Sequence, residues 1–185
     1  YHAIDFDQLT LALKHGAPLP PKPVIITFDD GFANQLRGFE LLQKYQTKAT
    51  FYIVTGGEGS RYCIGANRRA GLPCGDAYLN WDEIRRLDSS GLVTIGAHTI
   101  DHVALASRSA AEQQRQIIGS KTEIEAQLGH PIRHFAYPAG SYNADVMTAV
   151  RAAGFATAVT TRPGTTQAAD KLYELTRVRS AYTLP

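Results

Sequence analysis

Apolar positions along this chain follow two alternating rhythms: a helical spacing of about 3.6 residues and short unbroken runs. Ile4, Leu9, Leu11 and Leu13 predict a first amphipathic helix ending near His15-Gly16. Prolines at 18, 20, 21 and 23 then impose an extended connector. Val24-Ile25-Ile26-Thr27-Phe28 is an apolar, β-branched run, the pattern of a strand buried on both faces, and it stops abruptly at Asp29-Asp30-Gly31. A helix through Leu36, Phe39, Leu41, Leu42 and Tyr45 follows, then a strand over Ala49–Val54.

The glycine-rich segment from Gly56 to Tyr78 reads as a long loop, a kind of segment that is usually functional or disordered. A helix capped by Asn80 carries Trp81, Ile84 and Leu87, with Trp81 read as helix packing. A strand covers Leu92–Ala97. A long helix spans Ala110–Leu128 and closes at Gly129, with His130 just beyond its end. Strand Ile132–Tyr137, helix Ala144–Ala153, strand Phe155–Thr160 and a last strand over Leu172–Val178 complete the order. Strands separated by helices imply right-handed βαβ units and a parallel sheet, hence an α/β domain spanning residues 1–185. Six strands can be counted, fewer than the eight of a closed barrel.

Composition narrows the partners. Hydrophobic residues make up 44% and charged residues 19%, the balance of a folded chain. The net charge is only +2 and the basic residues are scattered, so no nucleic-acid partner is expected. No apolar run is long enough to span a membrane. The chain begins at Tyr1 rather than Met, so it is read as a mature or trimmed product, with an extracellular, periplasmic or cell-envelope address expected. Cys63 and Cys74 lie in the long loop, where a disulfide fits an oxidising compartment; two free thiols are the alternative.

The chemistry collects at strand ends. In parallel α/β folds reactive groups gather where strands finish, on one rim. Asp29-Asp30-Gly31, His98-Thr99-Ile100-Asp101-His102 and Pro138-Ala139-Gly140 each follow a predicted strand. Two adjacent carboxylates repel one another, and a cation relieves that cost; the alternative is that Asp30 caps the next helix. His98 and His102 are four apart, and on a helical turn that spacing puts both imidazoles on one face, although isolated histidines are more often ordinary polar residues. Two His and one carboxylate form a set for Zn²⁺, and also for Fe²⁺, Co²⁺ or Ni²⁺, with positions left for water. The second aspartate is placed to take a proton from that water.

Thr27-Phe28-Asp29-Asp30-Gly31 followed by His98-Thr99-Ile100-Asp101-His102 resembles the first two motifs of the polysaccharide deacetylases, carbohydrate esterase family 4 or the NodB homology domain. The resemblance runs from about Pro23 to Arg179. It implies a distorted (β/α)7-type barrel with a mostly parallel sheet, and hydrolysis of N- or O-acetyl groups on an acetylated polysaccharide. It implies Asp29 as general base and Asp30, His98 and His102 as ligands of one divalent metal, zinc before cobalt or nickel. It also implies an oxyanion stabilised by the metal and by the backbone N–H of Ala139.

Ala136 stands where the family places an arginine against the catalytic aspartate, and Arg133 is expected to face the other way. The family's Asp-rich fourth motif is missing from Thr160–Gly164, and the family's Leu-x-His becomes Leu175-Thr176-Arg177. Arg177 is therefore expected to restrain Asp29 or to stabilise the oxyanion, with a surface position at a strand end as the alternative. Phe135-Ala136-Tyr137-Pro138 resembles the branch acting on poly-β-1,6-N-acetylglucosamine. Tyr62, Tyr78, Tyr137 and Tyr142 are candidates to stack on sugar rings, or else to pack, and His134 is a candidate replacement acid. Removal of N-acetyl groups, O-deacetylation of xylan-like polymers, and sugar binding without turnover all remain open.

Overall fold

The computed structural model describes residues 1–57 and 78–179. Tyr62, Cys63 and Cys74 lie outside these, so the expected disulfide and the Tyr62 contact do too. Strands β3 (Thr27–Phe28), β4 (Ala49–Ile53), β5 (Val93–Ala97), β6 (His134–Ala136), β7 (Thr157–Pro163) and β8 (Leu175–Arg177) pair in that order into one sheet, every neighbour parallel. A small parallel pair, β1 (His2–Ala3) with β2 (Pro23–Val24), brackets helix α1 (Phe6–His15). Helices α2 (Leu36–Tyr45), α3 (Trp81–Asp88), α4 (Ala110–Leu128) and α5 (Ala144–Ala152) connect the larger sheet. Among the described residues no helix is long and apolar enough to cross a membrane.

The helix ends follow the cap chemistry. Asp5 and Gln8 form a capping box on α1, and Asn80 and Glu83 form another on α3. Gly129 ends α4 in the left-handed region, where a Cβ would be strained.

The strands alternate between two cores with period two. Phe51, Ile53, Ile95, Ala97, Phe135, Tyr137 and Ala158 face outward, against Phe39 of α2, Trp81 and Ile84 of α3, Ile117 of α4 and Val146 of α5. Tyr52, Ala136, Val159 and Leu175 face inward, where α1 supplies Phe6 and Leu9. Trp81 is thus core packing.

The expected strand Val24–Phe28, buried on both faces, is not found as such. Pro23–Val24 pairs with β1, Thr27–Phe28 joins the large sheet, and Val24 is 37% exposed. The reason is position: β3 is an edge of the six-stranded sheet, so one side lacks a neighbouring strand. The last strand is also shorter than expected, because Leu172 follows a 3-10 turn over Ala169–Lys171 and enters the inner core from outside the sheet.

The two edges approach each other. Arg177 on β8 donates to Thr27 Oγ1 at 3.1 Å and to Asp29 at the end of β3. The sheet therefore curls into a half-barrel whose first and last strands are joined by side chains rather than by a ladder of backbone bonds.

His134 sits at the opposite end from the rim. Its ring is 1% exposed, bonds Thr157 Oγ1 through Nδ1 at 2.9 Å, and lies 5.4 Å from the Phe6 ring. That placement excludes it as the replacement acid. Burial pushes its pKa down to about 4, Arg133 adds to the effect, and Asp7 opposes it. Between pH 6.5 and 4 the unfolded imidazole binds a proton that the folded one refuses, so this residue's contribution to stability is lost as pH falls through that window. Urea unfolding should show a loss on the order of 2–3 kcal/mol from this source. His134→Gln should flatten that part of the profile, and equal slopes in variant and wild type would contradict the assignment.

Candidate active site

The strand-end motifs meet, but not through the local geometry their spacing suggested. At the end of β3 the backbone takes two consecutive left-handed residues, Asp30 (φ 78°) and Gly31 (φ 74°). This break sends neighbouring carboxylates to different partners. Asp30 does not cap a helix: the 3-10 turn over Ala33–Gln35 starts at Phe32 without a side-chain cap. Gln35 instead donates to the Asp29 carbonyl at 2.5 Å and fixes the turn.

The expected helical turn at His98–His102 is an irregular loop. Thr99 (φ 68°) and His102 (φ 50°) are both left-handed, and the two rings come to 4.9 Å between centroids. Steric strain of this kind persists only where surrounding contacts enforce it. Here they do so from two sides: Gly56 N–H donates to Ile100 O at 2.8 Å, and Gln116 of α4 accepts from both Ile100 and Asp101 N–H.

Asp30, His98 and His102 converge, each offering one ligand atom within 4.8 Å of the others. Asp30 Oδ1 is 3.4 Å from His98 Nε2 and 3.2 Å from His102 Nε2. Ligands about 2.0–2.1 Å from a tetrahedral zinc stand roughly 3.3 Å apart, so these separations fit a shared cation. The tautomer fits as well. His98 donates from Nδ1 to Ala136 O at 2.7 Å, which leaves Nε2 as a lone pair facing a carboxylate. Burial works to raise the Asp30 pKa, but the facing imidazoles of His102 and His98 outweigh it and hold the carboxyl far below its ordinary range.

Beside this cluster, Arg177 grips Asp29 in a two-point fork, Nη1 to Oδ1 and Nη2 to Oδ2, each at 2.7 Å. The guanidinium is completed by Nε donating to Thr160 O at 2.9 Å and by the Thr27 hydroxyl. Burial alone would lower its pKa; the bond and charge of Asp29 overcome that and raise it. The surface alternative for Arg177 is excluded, since its side chain is only 18% exposed. Arg133 is held away on the outside, 3.2 Å from Asp7.

Ala139 lies in a 3-10 turn after β6 with φ 53°. The turn bonds are donated by Gly140 and Ser141 to Tyr137 and Pro138 carbonyls. A Cβ on Gly140, itself at φ 66°, would run into the Thr161 side chain.

Tyr137 corrects an expectation: it is fully buried, its hydroxyl donates to Tyr173 O at 2.9 Å, and it cannot stack on a sugar. Tyr142 lies stacked on it at 5.0 Å and stays partly exposed, with Arg162 donating to its hydroxyl. Tyr78 is buried against Phe32.

Sequence reading missed Thr27, Gln35, Thr160 and Gln116. Thr27 shares Asp29's side of the strand by parity, a usable signal. Gln116 falls on the buried stripe of α4 with Ile117 and Ile124, where a polar residue is itself a flag.

The Bacillus subtilis (strain 168) protein YxkH is 27% identical over 180 residues, 97% of this chain and 59% of that protein. The poly-β-1,6-N-acetyl-D-glucosamine N-deacetylase of Escherichia coli (strain K12) is 31% identical over 106 residues, 54% of this chain and 15% of that enzyme. The chain thus spans little more than half of the first and a small part of the second. The Streptococcus pyogenes deacetylase PplD, solved in complex with acetate, matches with a TM-score of 0.85 at 26% identity, over 99% of this chain and 75% of that one. That likeness bears out the distorted (β/α)7 fold. Residues 16–158 match the model of polysaccharide deacetylases, and the chain belongs to that family.

Proposed function

We propose that the chain is a metal-dependent hydrolase that removes acetyl groups from a polysaccharide containing N-acetylglucosamine. The observation that carries the reading is the Asp29–Arg177 pair standing beside Asp30, His98 and His102. Zinc suits the donor set, with cobalt or nickel as substitutes. A bound divalent cation supplies Lewis acidity toward the acetyl carbonyl and makes hydroxide accessible near neutral pH.

The remaining work belongs to side chains. Asp29 takes the proton of the attacking water. Each of its oxygens gives one lone pair to Arg177 and keeps another for that transfer. Arg177 fixes the plane of the carboxylate, the task that the family assigns to the arginine missing at Ala136. Ala139 N–H serves the developing oxyanion. Tyr142 is the aromatic residue on this rim that reaches the sugar. The name of the Escherichia coli relative and the run Phe135-Ala136-Tyr137-Pro138 support a β-1,6-linked N-acetylglucosamine polymer.

O-Acetyl ester cleavage is the second reading, and one observation favours it. Of the chain's six histidines, two are the ligand candidates, and His2, His130 and His134 bond Pro21, Asp88 and Thr157, away from Asp29. His15 ends α1. No imidazolium is then available to protonate a leaving amine, a need that esters feel less.

Metal-loaded protein should release acetate from β-1,6-linked N-acetylglucosamine oligomers faster than from acetylxylan or a small aryl acetate; the opposite order selects the esterase reading, and no release from any of them defeats catalysis. Asp29→Asn should lower turnover at least about 100-fold while binding one equivalent of zinc as before. His98→Ala and His102→Ala should lose that equivalent in calorimetric titration, and undiminished binding would remove the ligand assignment. Arg177→Lys keeps the charge but not the fork, and should cost roughly 10–100-fold in kcat with little change in KM. A change confined to KM would instead place Arg177 on the substrate.

A further inference from the structure

The loop holding His98 and His102 contains two left-handed non-glycine residues and no regular hydrogen-bond ladder. Something outside the loop must define its shape, and the contacts converge on one face of α4.

Gln116 is fully buried, and all four hydrogen-bonding positions of its amide are used. Oε1 accepts from Ile100 N–H at 3.0 Å and from Asp101 N–H at 2.9 Å. Nε2 donates to Asp101 Oδ2 at 2.7 Å and to Glu112 Oε1 at 2.9 Å. The amide orientation is therefore fixed by its surroundings: two donors on one side, two carboxylates on the other. Arg115 Nη2 also donates to Asp101 Oδ2, at 2.6 Å. One turn further along α4, Gly119 lies so close to Ile100 that a Cβ there would stand 2.6 Å from Ile100 Cδ1. Residues 100 and 101, the middle of the span between the two imidazoles, are thus gripped through backbone and side chain by residues 116 and 119.

We propose that Gln116 is a positioning residue for the metal-ligand loop: by holding the Ile100 and Asp101 amides it sets the spacing of His98 and His102, and so sets divalent-cation affinity. The proposal rests on reading Asp30, His98 and His102 as ligands. Its physical basis is the competition inside the loop. Without an acceptor on α4 the two N–H groups seek water or other carbonyls, and the strained φ angles at Thr99 and His102 lose the bonds that oppose their relaxation. Partners of this kind, one step behind the ligands, typically change metal affinity by roughly 10–100-fold when removed.

Gln113 provides the internal control. It lies one turn earlier on the same buried stripe, 5% exposed, and its amide donates to Leu105 O and Arg108 O, not to the histidine loop. Gln116→Leu and Gln113→Leu should both lower the urea midpoint, because each strips partners from buried polar groups. Only Gln116→Leu should weaken zinc binding, by roughly 10–100-fold in competition with a chromophoric chelator. Only Gln116→Leu should also speed hydrogen exchange at the Ile100 and Asp101 amides of the metal-free protein. Should Gln116→Leu not fold, Gln116→Asn, one methylene short of the loop, is read by the same two measurements. Zinc affinity of the Gln116 variants equal to wild type, or equal losses in the Gln113 and Gln116 variants, overturns the proposal. Wild-type protein that binds no zinc overturns instead the ligand assignment beneath it.

Discussion

A parallel sheet of six strands has two free edges, and the geometry of this site depends on how they are brought together. The join is ionic. Arg177 at the end of β8 reaches across to Asp29 and Thr27 on β3 and turns back to the Thr160 carbonyl on β7. Four of the five guanidinium N–H groups are thereby placed, which is what makes a largely buried charge tolerable. A backbone ladder at this seam would have closed the barrel and left no polar group there. A side-chain bridge closes it while setting a carboxylate on the rim.

The cluster of Asp30, His98 and His102 obeys a related logic. Asp30, Thr99, His102 and Ala139, all with positive φ, sit at three strand ends that converge on that rim. A left-handed residue turns the chain sharply without adding length, so a side chain one position away can face a new direction. Aspartate and histidine accept this conformation more readily than most residues; threonine does not. Thr99 is therefore the most strained of the four, and it lies where the clamp from α4 is tightest, next to the residues whose amides Gln116 holds. The rigid elements carry the strain of the loops. Gly96, within β5, serves the same end differently: a Cβ there would strike the Tyr52 ring and the His134 carbonyl, so its absence lets a full tyrosine fill the inner core beneath the rim.

Much of this was legible from residue pattern. The order of helices and strands, the parallel sheet, and the residues of the Asp30, His98 and His102 cluster follow from periodicity and from polar groups placed directly after apolar runs. What periodicity could not supply was the route by which His98 and His102 converge. Spacing of four suggested a helical turn, whereas the loop is irregular and shaped by Gln116, 16 positions beyond Ile100 and 15 beyond Asp101. Edge position was equally hidden: Val24–Phe28 has the composition of an interior strand, and only the pairing order reveals that one side is open. Tyr137 shows the limit for aromatics. Its place after a strand suggested the rim, but strand parity puts it with Phe135 in the outer core.

Arg177 also bears on the chemistry that a deacetylase must balance. The guanidinium fork fixes which way the Asp29 carboxylate is turned and takes one lone pair on each of its oxygens. A histidine at the same position could give up a proton; an arginine cannot at any ordinary pH. With Asp29 proposed as the base, the proton taken from water returns to the leaving group through Asp29 itself or through solvent. The fork leaves a second lone pair on each Asp29 oxygen, so on that reading the same carboxylate can take the proton and hand it on without letting go of Arg177. On that reading, an arginine in place of a conventional acid leaves both transfers to the carboxylate it orients.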